Sequence, residues 1–226
     1  CMVEVQGQPL LRRLTRSLRQ SGIRDVAVVR GYAKEAVDLP NLTYIDNDAY
    51  ETTGEAASLA CALSRLSGDT VIAYGDILFR PYILESLLAS KGDITAVIDA
   101  RWRGDGNRAA GRKVDLANCT RAFTGEYLDE EPVLLTAVHA CNDETEVTSE
   151  PSGEFIGLIK LSAKGAEKVK LALEAMKFEG VLAKADLPAI LNRLIADNEP
   201  VEALYVTGHW LDVDDAFDLA KARNLV

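Results

Sequence analysis

The stretch 70–74 (TVIAY), β-branched and apolar and closed by Gly75-Asp76, constrains this chain more than any other. A strand with no polar alternation has both faces covered, which is the signature of a central strand in a parallel sheet flanked by helices. The neighbouring segments fit that frame. After Pro9, the spacing of Leu10, Leu11, Leu14 and Leu18 predicts a helix ended by Gly22. Short strands are expected at 25–30 (DVAVVR) and 42–45, a helix at 55–66, a second helix at 81–89 and a strand at 94–98. Strands alternating with helices in this order predict an α/β chain, a doubly wound, Rossmann-like three-layer sandwich with a mostly parallel mixed sheet.

Between 101 and 152 the rhythm breaks. Gly104, Gly106 and Gly111, one strand at 133–138 and an acidic run at 143–150 mark an insertion expected on the substrate side of the site. Beyond it the sequence predicts a strand at 155–161 (FIGLIKL), helices at 164–178 and 187–197, a strand pair at 201–206 and 210–213, and a last helix from Ala216. No linker divides the chain, so residues 1–226 are expected to form a single domain.

Charge narrows the function classes. A net charge of -10 and a pI near 4.8 argue against a nucleic-acid partner, because phosphate backbones are held mainly by Lys and Arg. No apolar run reaches the length of about 18 residues that a membrane span needs, and no charged-then-apolar leader opens the sequence, so a cytoplasmic protein is expected. Cys1, Cys61, Cys119 and Cys141 lie far apart without metal-ligand spacing and read as incidental thiols. The first residue is Cys, and 3–5 already reads as the tail of something structured, so the native beginning is expected to be missing.

Four places can carry chemistry. Asp76, next to Gly75, directly follows the apolar strand and so lies at the carboxyl edge of the sheet, where ligands of such folds bind. The plain alternative is a turn or helix cap. Near the other end, Asp212 and Asp214 stand two apart in an extended segment and would face the same side. Magnesium takes a small number of carboxylate oxygens and completes its shell with water and substrate phosphates, so Asp76 with Asp212 or Asp214 meets its demand if the two strands are neighbours. Asp214 and Asp215 can equally cap the last helix, and Asp215 is read that way.

Third, Thr52, Thr53, Gly54 and Ser58 lead into a helix, where hydroxyls and free N–H groups can meet a nucleotide, or where Thr53 simply caps the helix. Fourth, Arg101, Arg103, Arg108, Arg112 and Lys113 form a glycine-punctuated basic stretch suited to an anionic substrate, or to a solvated surface. His139 and His209 have no partner at metal or triad spacing, and His209 beside Trp210 reads as packed.

In their order these residues resemble a known family. Residues 1–5 with Gly7 and Pro9, 29–32, 44–59, 74–79, 153–157 and 208–215 together resemble nucleotidyltransferases of the nucleotide-diphospho-sugar transferase fold. The nearest resemblance is to the cytidylyltransferase domain fused to phosphoenolpyruvate mutase in phosphonate biosynthesis, and the chain is similar also to phosphocholine cytidylyltransferases. The resemblance implies CTP and magnesium, with Asp76 as the first metal ligand and Asp212 as the second, Asp214 competing with it. It places Thr52, Thr53 and Ser58 towards the nucleotide and Glu154 towards the acceptor, and it implies a possible fused mutase domain.

That family begins with a strand, a glycine-rich loop with a basic residue and a Pro-Lys pair, none of which stands before Cys1 here. The expected reaction is CTP with a phosphonate such as 2-aminoethylphosphonate, giving the CMP-phosphonate and pyrophosphate. A phosphocholine or sugar-phosphate nucleotidyltransferase and a non-catalytic nucleotide-binding module are the alternatives. A glycosyltransferase of the same fold would need Asp-x-Asp after the central strand, where this sequence has only Asp76.

Overall fold

The computed structural model describes residues 1–102, 114–125, 131–141, 151–213 and 215–225. Cys1, Met2 and Val3 lead into two short strands, β1 (Glu4–Val5) and β2 (Gln8–Pro9), and then α1 (Leu10–Gln20). Leu10, Leu11, Leu14 and Leu18 are its buried face, as their spacing predicts. The helix stops where Gly22 turns to φ +92°, a conformation that favours glycine.

β3 (Ala27–Arg30) and β4 (Thr43–Asp46) form a parallel pair of their own. α2 (Glu55–Cys61) is shorter than the 55–66 expected, because Leu63–Arg65 tightens into a 3-10 turn. β5 (Thr70–Ala73), β6 (Ile77–Phe79), α3 (Pro81–Ala89) and β7 (Ile94–Asp99) follow. Then come β8 (Val114–Cys119), β9 (Leu135–Cys141), β10 (Gly153–Leu161), α4 (Ala163–Phe178) and α5 (Leu187–Ala196). β11 (Glu202–Val206), β12 (Trp210–Asp212) and α6 (Ala216–Leu225) complete the order.

β10 organises the main sheet. Every one of its residues is buried, and it runs antiparallel to β7 on one edge and to β5 and β8 on the other. β11 adds parallel to β7, and β9 adds antiparallel to β8. The result is a mixed α/β sheet in which β5, β7, β8 and β11 point one way and β9 and β10 the other. This corrects the expectation for 70–74: β5 is half-buried and its partner is antiparallel. An apolar run by itself fixes neither how fully a strand is covered nor which way the neighbouring strand runs.

A second correction concerns 201–206 and 210–213, which do not pair with each other. β11 joins β7 in the main sheet, whereas β12 turns away and pairs antiparallel with β6. Gly208 at φ +73° and His209 at φ +64° make the turn that separates them. The described parts of 101–152 supply two strands of the main sheet, β8 and β9.

Two caps hold the helices against the sheet. Ser162 Oγ accepts from the Gly165 N–H at 3.1 Å to start α4, and Asp186 Oδ1 accepts from the Ala189 N–H at 2.9 Å to start α5. Val169, Leu173 and Met176 of α4, with Ile190, Leu191 and Leu194 of α5, then cover one face of β10 and β7 through Ile159, Leu161, Ile94 and Ile98. The other face packs Val97, Ile156 and Leu158 against Ile77, Ile83 and Leu87. Helices on both faces leave only the strand ends free, so the carboxyl edge is where side chains can meet a ligand.

Candidate active site

The two distant acidic segments meet. β12 pairs with β6 so that Trp210, Leu211 and Asp212 lie opposite Phe79, Leu78 and Ile77. One step further, the Val213 N–H donates to the Asp76 carbonyl at 3.2 Å, which extends the pairing into the bend that carries Asp76. Asp76 and Asp212 therefore stand at the same end of two adjoining chains, both half-buried. Asp214 and Arg103, Arg108, Arg112 and Lys113 lie outside the described residues. Among the described residues no three His, Cys, Asp or Glu side chains gather as a metal-binding group. Magnesium does not need three; a pair of hard carboxylates, with water and substrate phosphates completing the shell, fits its demand.

The faces of this small ladder explain its position. Phe79 and Trp210 pack with Ile77 on the cluster shared with Val97 and Val206, and Asp212 shares their side of the ladder. Leu78, Leu211 and Val213 turn the other way, onto Val5, Leu10 and Ala222. Asp212 is thus carried by a strand anchored on both faces.

Asp76 is held from the opposite direction. The Tyr74 N–H donates to the Gly157 carbonyl at 3.0 Å, and the Tyr74 hydroxyl donates to Glu55 Oε2 at 3.0 Å. Glu55 Oε2 also accepts the Leu187 N–H at 3.1 Å, so one carboxylate links the end of β5 to the starts of α2 and α5. Burial, with the Glu55 charge beside it, pushes the Tyr74 hydroxyl well above the ordinary tyrosine range and keeps it a donor.

The 47–59 segment lies at the carboxyl end of β4, but its polar groups are largely engaged within the chain. Asn47, 5 % exposed, donates through Nδ2 to Thr53 Oγ1 at 2.9 Å and to Ser58 Oγ at 3.1 Å, and its Oδ1 accepts the Ala49 N–H. Thr53 Oγ1 donates to the Ala49 carbonyl, and Thr52 Oγ1 does the same. The expected cap is displaced by one residue: Gly54, not Thr53, precedes α2, and it makes no side-chain cap. The expectation of free N–H groups fails at two positions, because Gly54 donates to the Ala183 carbonyl at 2.8 Å and Ala56 to the Ala185 carbonyl at 3.1 Å. Gly54 is required there, since a Cβ would stand 2.4 Å from the Ala185 oxygen. Lys184, which donates to the Thr52 carbonyl at 2.9 Å, brings a cation to this segment that the sequence did not single out.

Glu154 is 3 % exposed and lies between Asp99 of β7 and Leu116 of β8. Asp99 ends β7 at the same edge, and Arg101, two residues later, is exposed. Trp102 holds that turn by burying itself against Val114, Leu116 and Cys141. His209, expected to be packed beside Trp210, is exposed, with its Nδ1 3.0 Å from the Tyr82 hydroxyl, and His139 Nε2 lies 3.2 Å from Asn118 Nδ2.

Asn47 and Asp99 are the polar residues the sequence reading passed over. A buried amide inside a hydroxyl-rich segment was the available signal for Asn47, whereas nothing local marks Asp99. No helix among the described residues is long and apolar enough to cross a membrane.

The chain is 23 % identical, over 97 % of its own length and 88 % of the relative's, to a CTP:phosphoglutamine cytidylyltransferase of Campylobacter jejuni. Over 39 % of its length it is 30 % identical to 15 % of a CMP-5'-(3-aminopropyl)phosphonate synthase of Streptomyces rubellomurinus. Among solved structures, the CTP:phosphocholine cytidylyltransferase of Streptococcus pneumoniae superposes with a TM-score of 0.66 at 18 % identity, covering 99 % of this chain and 88 % of that one. The inositol-1-phosphate CTP transferase of T. maritima does so with 0.72 at 16 %, covering 99 % and 84 %.

These likenesses establish the fold as the nucleotide-diphospho-sugar transferase type expected from the sequence. The model of the MobA-like NTP transferase domain matches residues 1–153, more than half of the chain, and the protein belongs to that family.

Proposed function

We propose that this chain is a magnesium-dependent cytidylyltransferase that moves CMP from CTP to a small phosphonate, such as 2-aminoethylphosphonate, and releases pyrophosphate. The carrying observation is the meeting of Asp76 with the Asp212 strand through the Val213-to-Asp76 backbone bond. Support for cytidine comes from relatives whose names specify CTP or CMP, and support for a phosphonate acceptor from the partial match to the aminopropylphosphonate synthase.

The chemistry asks little of the protein beyond placement. An acceptor phosphonate oxygen is already anionic, so it attacks the α-phosphorus of CTP without a general base while the bond to pyrophosphate breaks. What must be supplied is charge neutralisation at the edge of the sheet. Asp76, with Asp212 or Asp214, would hold the magnesium ion, which when bound contributes Lewis-acid polarisation of the α-phosphate and a fixed template. Thr52, Thr53, Gly54, Ser58 and Gly75 border the nucleotide in this reading. Arg101 and Arg103 meet the acceptor anion, for which guanidinium groups are suited, and Glu154 stands on the acceptor side.

Pyrophosphate release, measured with each of the four nucleoside triphosphates against 2-aminoethylphosphonate, phosphocholine and a sugar 1-phosphate, tests the proposal. Turnover highest with CTP and the phosphonate is expected. Turnover confined to phosphocholine or the sugar phosphate would replace the acceptor and keep the reaction class, and CTP binding without turnover would make the chain a nucleotide-binding module.

A further inference from the structure

Asp99 is a buried carboxylate whose hydrogen bonds join two turns. It is 5 % exposed at the end of β7. Its Oδ1 accepts the Arg101 N–H at 2.9 Å and the Gly208 N–H at 2.9 Å, and its Oδ2 accepts Trp210 Nε1–H at 2.8 Å. Three donors on one buried charge satisfy it without a cation among these contacts. The donors come from two places: the turn that leaves β7 toward the Arg101 side, and the Gly208–Trp210 turn that delivers β12.

That second turn is where β12 is tied to the end of β7, beside the Arg80 N–H bond to the His209 carbonyl at 2.9 Å and the 3.0 Å contact of His209 Nδ1 with the Tyr82 hydroxyl. β12 pairs with β6 alone and belongs to no wider sheet among the described residues. The chain reaches it from β11 through two consecutive residues at positive φ, Gly208 and His209, so the strand direction is set by how this corner is tied down. Trp210 and Asp212 are two apart on one strand and share a face, which makes the indole a lever on the acid. A shift of Trp210 would move Asp212 and the Val213 N–H that reaches Asp76.

We infer that Asp99 is a positioning residue: by holding Gly208 and Trp210 it sets Asp212 against Asp76, and by holding the Arg101 N–H it ties the acceptor-side turn to the same point. The inference rests on the proposed metal-binding role of Asp76 and Asp212. A hydrophobic residue at 99 would satisfy the packing and lose the lever, and a carboxamide would keep the shape while facing at least one donor with an NH2 group.

The test uses Trp210→Phe, which removes the indole donor, Asp99→Asn, which sets an NH2 group against at least one of the three donors, and their double variant. Two readouts do not require turnover: hydrogen exchange of the 208–213 backbone, and the dissociation constant for Mn2+ in the presence of CTP. Each single variant is expected to speed exchange at 208–213 by about tenfold or more while leaving β7 and β10 protected, as local rather than global opening requires. Mn2+ binding is expected to weaken by about fivefold or more, with the double variant no worse than either single one because both act on one coupling.

A merely structural carboxylate would lower thermal stability throughout and leave Mn2+ affinity in the folded protein unchanged, and that result overturns the inference. Wild-type protein that fails to bind Mn2+ with CTP overturns it as well. Wild-type protein that binds Mn2+ and shows the variant effects, yet releases no pyrophosphate with any acceptor, upholds the role of Asp99 and removes only the catalytic reading.

Discussion

The ring of Tyr74 fills the space that a side chain on Gly157 would need: an added Cβ would stand 1.9 Å from the ring. Gly157 also sits at φ +76°, where β10 shifts its register against β7 between Phe155 and Ile159. The irregularity lets one strand accept the Tyr74 N–H and make room for its ring, and Tyr74 is two residues from Asp76. The glycine is therefore part of how the acidic bend is aimed.

Gly157→Ala is expected to be among the more damaging single substitutions. Left-handed backbone costs a residue with Cβ about 1–2 kcal/mol, and overpacking of a filled core adds about 1–3 kcal/mol. Urea unfolding should give a loss of about 2–5 kcal/mol with an unchanged denaturant slope. A loss of only about 1–2 kcal/mol, the backbone cost alone, would show that the Tyr74 ring moves freely aside.

Asn47→Ala should separate stability from substrate affinity at the nucleotide segment. The substitution removes donors to Thr53 and Ser58 and the acceptor for Ala49. Losing bonds around a buried amide is expected to cost about 1–3 kcal/mol in unfolding free energy. If those hydroxyls border CTP, KM for CTP should rise severalfold while kcat changes little, because ground-state and transition-state contacts are weakened alike. Steady-state kinetics at saturating acceptor reads the difference; a fall in kcat with unchanged KM would remove these residues from the nucleotide side.

The sequence reading succeeded where burial is periodic. Leu10, Leu11, Leu14 and Leu18 mark α1, and the buried stripes of α4 and α5 fall within a residue or two of the expected bounds. The backbone segments that carry Asp76 and Asp212, expected to be neighbours, adjoin through the β6–β12 ladder and the Val213 N–H bond to the Asp76 carbonyl. The orientation of β5 and the separation of β12 from β11 were not legible, because strand direction and partner are settled by residues far away in sequence. Asp99 shows the same limit: its defining partner, Trp210, is 111 positions away.

Replacing each acid in turn tests the metal assignment and decides between Asp212 and Asp214. Lewis-acid stabilisation is worth several kcal/mol, so Asp76→Asn is expected to lower kcat by roughly 100-fold or more, with the melting temperature nearly unchanged. Of Asp212→Asn and Asp214→Asn, the one that matches Asp76→Asn in magnitude and also raises the magnesium requirement identifies the second ligand. An Asp76→Asn enzyme that keeps its activity and its magnesium stimulation would refute the assignment.

Acid titration should expose a different carboxylate, Asp93, in the turn before β7. Ser162 Oγ donates to its Oδ1 at 2.8 Å, and Lys164 and Lys168 lie 3.1 and 3.7 Å from its Oδ2. The Ser162 hydrogen bond first, and the Lys164 ammonium after it, hold the carboxyl below its usual range. A carboxylate whose folded pKa is depressed binds protons more readily in the unfolded chain, so its stabilisation is fully present above the unfolded value near 3.9. It is lost as pH falls through the lower, folded value. The difference in unfolding free energy between wild type and Asp93→Asn should therefore be flat from neutral pH to about pH 5 and shrink below about pH 4. At about 1 M salt the lysine part should be screened while the Ser162 bond persists, leaving a smaller difference with the same pH profile. A difference that grows on acidification would show that this carboxyl is not favoured as the anion in the fold.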